Sequence, residues 1–399
     1  MVINLSLLDR SRTRAGEPEP AALRGTVARA VQAERLGYGR LWVAEHHGVP
    51  GIAGSAPSVL LAAVAGATTT IRIGSAGVML PHHQPLVVAE QFATLSAFAP
   101  GRVDLGLGRS PGFTAPVRRA LRQPDRDRAP SSTTTTGPTS AASPASAASP
   151  ASAASPASAA SPATTASPAT TASPATTASP ATTASPATTA SPAAGSGFAA
   201  DLAELRGFLT GTAEIGLHPQ PEGPIPLYVL ATGSGLQVAA ELGLPVIVGG
   251  PLLGVGGDPA PGLEALARYR RAFRPSEQQA QPWVAVSLDV LVADTAAEAA
   301  DLLLPEAWAM AQSRTTGVFP PLEPVAAARA AARTPRQQQY LERTAAAAVA
   351  GTSAQVESRL GELIERTGAA ELVAAGSTFD RAALAASDAA LAALFQPAR

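Results

Sequence analysis

Ile71-Arg72-Ile73-Gly74-Ser75-Ala76-Gly77-Val78 reads as a strand. After it, Val88, Phe92, Leu95 and Phe98 recur at helical spacing until Pro100-Gly101 stops the helix, and Val103-Asp104-Leu105-Gly106-Leu107 reads as the next strand. A strand returning through a helix pairs parallel with its predecessor. The same alternation extends outward. Upstream lie a strand at Val2–Leu7, a helix from Pro20 to Leu36 closed by Gly37, and a strand at Leu41–Ala44. A further helix follows, with Ser55 as its expected cap and Pro57 in its first turn. Downstream, strands fall at Leu227–Ala231, Val246–Val248, Trp283–Val292 and Leu372–Ala375. The expected helices there are Phe198–Leu209, Ser234–Leu242, Leu263–Phe273, Thr295–Gln312, Arg336–Val349, Ser353–Arg366 and Arg381–Phe395. Eight strands with helices between them predict one α/β domain over residues 1–399, a (β/α)8 TIM barrel. An open doubly wound sheet would call for a glycine-rich fingerprint after the first strand. Ser6-Leu7-Leu8-Asp9-Arg10-Ser11 is not one.

One segment breaks the pattern. From Pro130 to Gly197 the chain is almost entirely Ser, Pro, Ala and Thr, repeating every six residues as Ser-Pro-Ala-Ser-Ala-Ala and then Ser-Pro-Ala-Thr-Thr-Ala. It has no charge and no large apolar side chain to offset the entropy of ordering, and its regular prolines forbid a continuous helix. It is expected to be a disordered low-complexity linker inserted after the fourth strand.

Composition narrows the chemistry. Hydrophobic residues make up 46%, enough for a large core, and the net charge of −1 leaves no electrostatic footprint for nucleic acid. Cysteine is absent, which removes disulfides, thiolate nucleophiles and Cys-ligated metals. Lysine is absent too, so Schiff-base chemistry and a P-loop are excluded. No signal peptide and no membrane-spanning apolar run can be read, and a cytoplasmic location is expected.

A barrel builds its site at the C-terminal strand ends. There stand Glu45-His46-His47, Ala76-Gly77 with Pro81-His82-His83, Gly106-Leu107-Gly108-Arg109-Ser110, and Thr232-Gly233-Ser234-Gly235. Four of the five histidines lie on this face. Each group carries two readings. The histidines either bond neighbouring loops or do chemistry. Together with Glu45 they also have the composition of a zinc or iron site, but neither H-x-H after the first strand nor an H-E-x-x-H helix is present, and the expectation is no metal. Thr232, Gly233 and Ser234 either cap the following helix or present its N–H groups to a phosphate. Arg109 is either a surface charge or an anion contact.

Trp42-Val43-Ala44-Glu45-His46-His47, Gly74–Pro81, Ala89-Glu90-Gln91 and Gly101–Arg109, in this order and spacing, resemble the bacterial-luciferase-like flavin-dependent monooxygenases. Pro226–Pro245 and Val356–Ser377 resemble them more loosely. The resemblance implies an oxidoreductase in which reduced FMN and O2 oxidise a small organic substrate through a C4a-hydroperoxide. It places the flavin ring against a cis peptide at Ala76–Gly77, the histidine assisting oxygen chemistry at His46, and the phosphate at Arg109 with Thr232, Gly233 and Ser234. Gly108 stands beside the flavin where the light-emitting luciferase has a cysteine, and Thr232 replaces its glutamate, so light emission is not implied. A histidine titrating near neutrality suits the proton-handling role. A homodimer and a separate NAD(P)H:flavin reductase are the expected partners. The alternatives are an enzyme using the deazaflavin F420, a metal-dependent hydrolase built on the histidines, and a flavin-binding carrier without turnover. The substrate is not legible.

Overall fold

The computed structural model describes residues 3–109, 114–122, 192–231 and 233–395. Eight parallel strands close a barrel in the order β1-β10-β7-β6-β5-β4-β3-β2. They are β1 (Asn4–Asp9), β2 (Arg40–Val43), β3 (Arg72–Met79), β4 (Val103–Gly108), β5 (Leu227–Ala231), β6 (Val246–Gly249), β7 (Val284–Leu288) and β10 (Glu371–Ala374). Around them run α1 (Pro20–Arg35), α2 (Pro57–Ala67), α3 (Pro85–Phe98), α4 (Ala115–Ala120), α5 (Pro192–Thr210), α6 (Gly235–Leu242), α7 (Ala260–Ala272), α8 (Ala296–Thr316), α9 (Val325–Ala330), α10 (Pro335–Ala347), α11 (Ser353–Thr367) and α12 (Arg381–Phe395).

Each strand has two buried faces, and successive residues sort onto them by the twofold period of extended chain. Leu5, Leu7, Leu41, Val43, Leu105, Leu107, Val229, Val246 and Leu372 join the shell between barrel and helices. Their alternates Trp42, Ala76, Tyr228, Ile247, Ala285 and Val373 fill the barrel itself. Trp42 and Tyr228 meet edge to face at 5.2 Å. Below them Arg40 is held between Asp104 (2.7 Å) and Glu371 (2.5 Å), Arg72 makes a second bridge to Asp104 (2.6 Å), and Ser6 and Trp42 donate to Glu371. A buried guanidinium surrounded by carboxylates is tolerable because every partner is satisfied. This network floors the barrel.

β3 departs from the simple alternation. Ala76 pairs with Gly106 but Val78 with Leu107, so Gly77 is an extra residue in the ladder. The slip turns Val78 outward into the helical shell and leaves Ala76 inside. A methyl group at Gly77 would come within 2.7 Å of the Gly106 carbonyl oxygen, so the close approach of β4 demands glycine there.

Several boundaries differ from those read in the sequence. The expected strand Trp283–Val292 is two strands, because Asp289 turns the chain out of the barrel and β8 (Val290–Val292) pairs instead with β9 (Val349–Gly351). β9 begins at Val349, where a helix was expected to end. Ser55 does not cap α2; Ala56 occupies that position without a side-chain bond, and Pro57 alone marks the start. α4 and α9, six residues each, are short helices that the sequence pattern does not announce. The low-complexity reading extended to Gly197, whereas the chain is helical from Pro192, whose missing N–H costs nothing in a first turn. The remainder of that reading, residues 130–191, lies outside the described residues. Helices α8, α10 and α11 each begin with a reciprocal capping box, Thr295–Glu298, Thr334–Gln337 and Thr352–Gln355. Among the described residues no helix is long and apolar enough to cross a membrane.

Candidate active site

The residues singled out in the sequence gather at the C-terminal ends of β2 to β5. Arg109 directly follows β4, and its Nη2 donates to Ser234 Oγ at 2.8 Å, joining the turn after β5 to the end of β4. Its other terminal nitrogen, Nη1, is buried with no hydrogen-bond partner among the described residues. A guanidinium with one donor spent and another unspent is an incomplete anion site. Gly233 has φ of +67° with nothing near its missing side chain, a backbone turn that favours glycine and opens α6 toward this point. Ser234 does not bond its own helix end: no side-chain cap is made, so the hydroxyl is free to meet Arg109. Of the two readings of this turn, capping is therefore removed for Ser234. Thr232 lies outside the described residues.

Ala76 and Gly77 sit in β3 with a cis peptide between them, as the resemblance implies. Gly108 ends β4, directly before Arg109.

His46 lies two residues beyond Ala44, and its backbone N–H bonds the Gly54 carbonyl. Burial, then the cations Arg10 and Arg12, push its pKa down to about 4. The expectation of titration near neutrality is corrected: the imidazole is uncharged at physiological pH, with one N–H to donate and one nitrogen to accept. The cations behind it come from the loop after β1, which sequence reading passed over. Arg10 bridges Asp289 (2.7 Å) and Glu306 (3.4 Å), and Arg12 bridges Glu306 at 2.8 Å. Glu306 sits in α8 and is almost fully buried. A glutamate between Leu303 and Ala309 on the inner face of that helix was the available signal.

Glu45 is the hub of a second group. Its Oε1 lies 2.7 Å from His47 Nε2, 2.8 Å from His83 Nε2 and 3.7 Å from His82 Nδ1, while Oε2 accepts the Met79 N–H at 3.1 Å. Burial would raise its pKa, but the imidazoles of His83 and His47, bonded to Oε1, hold it well below the ordinary carboxylate range. The carboxylate thus ties the loops after β2 and β3 together.

The closed parallel barrel thus carries arginines and histidines together at the C-terminal ends of its strands. The chain belongs to the luciferase-like monooxygenase family, whose pattern it matches over residues 1–130 and 204–371, and is thereby an oxidoreductase. It is 30% identical over 394 residues to the luciferase-like monooxygenase of Escherichia coli K12, covering 96% of this chain and 93% of that protein. Over a shorter stretch of 111 residues it is 54% identical to the N-acetyl-S-alkylcysteine monooxygenase of Bacillus subtilis, 28% of this chain and 33% of that one. Among solved structures, apo-MsnO8 superposes with a TM-score of 0.72 at 26% identity, covering 98% of both chains. The fold is shared at 15% identity and TM-score 0.60 with the oxygenating constituent of a Pseudomonas putida 3,6-diketocamphane monooxygenase in complex with FMN, over 98% of this chain and 97% of that one. It is shared at 14% identity and TM-score 0.60 with an F420-dependent secondary alcohol dehydrogenase, over 100% of both chains. Of these solved neighbours, one is in complex with FMN and one with an F420 adduct.

Proposed function

We propose that the chain is a monooxygenase that uses reduced FMN and O2 to oxidise a small organic substrate. The observation carrying this reading is Arg109, held by Ser234 and left with one buried donor unspent. That donor suits a phosphate monoester, and the start of α6 beside it adds the positive end of the helix. Arg109, Ser234 and Gly233 would hold the phosphate, and the resemblance adds Thr232 to them. Ala76, Gly77 and Gly108 would leave the ring a flat wall of backbone. When bound, reduced FMN supplies the two electrons with which O2 is split between substrate and water. The chain's own contribution is to orient the ring, exclude water and manage a proton at His46, whose uncharged imidazole can both donate and accept.

F420 remains the competing cofactor, since its chemistry is hydride transfer without oxygen on the same fold. Fluorescence titration with FMN, riboflavin and F420 separates them. FMN binding tighter than both supports the proposal, and preference for F420 refutes it. The long local match to an N-acetyl-S-alkylcysteine monooxygenase makes thioethers the first substrates to test. A homodimer, a separate NAD(P)H:flavin reductase and a cytoplasmic location belong to the same proposal, as does the reading of residues 1–399 as one barrel domain with an insert.

A further inference from the structure

Glu45, His47 and His82 are more than loop contacts. Each contributes one ligating atom, and these atoms all lie within 4.8 Å of one another. Zinc binds imidazole nitrogen and carboxylate oxygen at about 2.0–2.2 Å in tetrahedral geometry, which sets neighbouring ligand atoms roughly 3.4 Å apart. Small side-chain rotations bring this set to that spacing.

His82 supplies an independent reason. Its side chain is only 4% exposed, yet neither ring nitrogen makes a hydrogen bond. Its nearest partner is Glu45 Oε1 at 3.7 Å, beyond hydrogen-bond reach, because His47 and His83 already crowd that oxygen at 2.7 and 2.8 Å. A buried imidazole with both nitrogens unsatisfied is unfavourable as it stands. A cation between His82 and Glu45 would take its lone pair and relieve the competition of three imidazoles for one carboxylate oxygen.

We propose that Glu45, His47 and His82 bind one divalent transition-metal ion of the zinc class, with His83 or water as the fourth ligand. Two imidazoles and a carboxylate suit zinc, cobalt or nickel; they are too few oxygens for calcium and offer no sulfur for cuprous ion. The loops after β2 and β3 would then be clamped by the ion rather than by hydrogen bonds alone. This site is separate from the phosphate-binding residues, and the proposal stands whether the cofactor is FMN or F420.

The test uses the tag-free full chain after dialysis against a chelator. Titration with Co²⁺ should give visible d–d bands that saturate at one equivalent per chain, and Zn²⁺ should displace them. His82→Ala and His47→Ala should each weaken Zn²⁺ binding by at least about tenfold, whereas His218→Ala, outside the cluster, should not change it. X-ray absorption at the zinc edge of the wild-type protein provides a reading that does not depend on a variant folding; it should report two or more imidazoles and oxygen. Absence of saturable Co²⁺ bands, unchanged Zn²⁺ affinity in folded His82→Ala, or fewer than two imidazoles at the zinc edge would overturn the site.

Discussion

Arg109 and Ser234, 125 residues apart in the chain, are joined by a 2.8 Å hydrogen bond across the rim between β4 and β5. The bond aims the guanidinium while leaving its Nη1 unspent. Charge-assisted hydrogen bonds contribute about 1.5–3 kcal/mol each, and each 1.4 kcal/mol is roughly tenfold in affinity. Arg109→Ala should therefore weaken FMN at least about tenfold and riboflavin, which lacks the phosphate, much less. Ser234→Ala should show the same selectivity with a smaller loss. Equal losses for both ligands would make Arg109 a support of the fold.

His46→Ala should leave FMN affinity and melting temperature close to wild type while product formation falls by roughly 10²–10⁴-fold. Steady-state turnover with reduced FMN beside a thermal melt checks this. A variant that melts early but turns over normally per folded molecule would assign His46 to loop packing.

The barrel was legible because its strands are short and each is buried on both faces, giving the unbroken alternation of strand and helix that Ile71–Leu107 displays. The strand ends then named the rim, and Arg109 with Ser234 followed from it. Other features were hidden for physical reasons. β9 is three residues long and emerges from an alanine-rich run whose local preference is helical. Asp289, at the split between β7 and β8, bonds Arg10, 279 residues away, a partner that no local window contains. The depressed pKa of His46 likewise arises from burial and from Arg10 and Arg12 on another loop.

Since α5 starts at Pro192, the insert can be removed only up to that point. Deleting residues 131–190 should leave folding and FMN affinity nearly intact, because loop closure changes by only about 0.6 kcal/mol per doubling of length. Differential scanning calorimetry with and without FMN checks it; a melting temperature lower by several degrees would give the segment a structural role.

The barrel floor offers a stability test remote from the rim. Arg40→Met leaves Glu371 without its cation, bonded only by Ser6 and Trp42, and removes one partner of Asp104; breaking a buried ion pair from one side costs about 3–5 kcal/mol. Urea denaturation should show this loss while the FMN affinity of the folded fraction stays unchanged. A cost near zero would mean that the floor relaxes around the missing charge.

Glu34 provides a pH signature. Its Oε1 accepts the backbone N–H groups of Thr69, Thr70 and Ile71; desolvation is the largest single influence and would raise its pKa, but these bonds together outweigh it and lower the pKa to about 2. A carboxyl lowered on folding contributes stability that is present above its unfolded value of about 4.5 and is lost as pH falls toward 2. The melting-temperature gap between wild type and Glu34→Gln should be full at pH 6 and shrink steadily below pH 4.5. A gap independent of pH would show that the carboxylate charge plays no part in holding this turn.

As a monooxygenase, the protein should consume reduced FMN and O2 together to oxygenate a substrate. Isotope-labelled dioxygen tests it most directly: the protein is mixed with chemically reduced FMN, labelled O2 and a panel of thioethers that includes N-acetyl-S-alkylcysteines, and products are read by mass spectrometry. One labelled oxygen atom is expected in the product, with at least about tenfold less product when Arg109→Ala is assayed at limiting FMN. Turnover under anaerobic conditions with reduced F420, or oxidised product carrying no label, would contradict it.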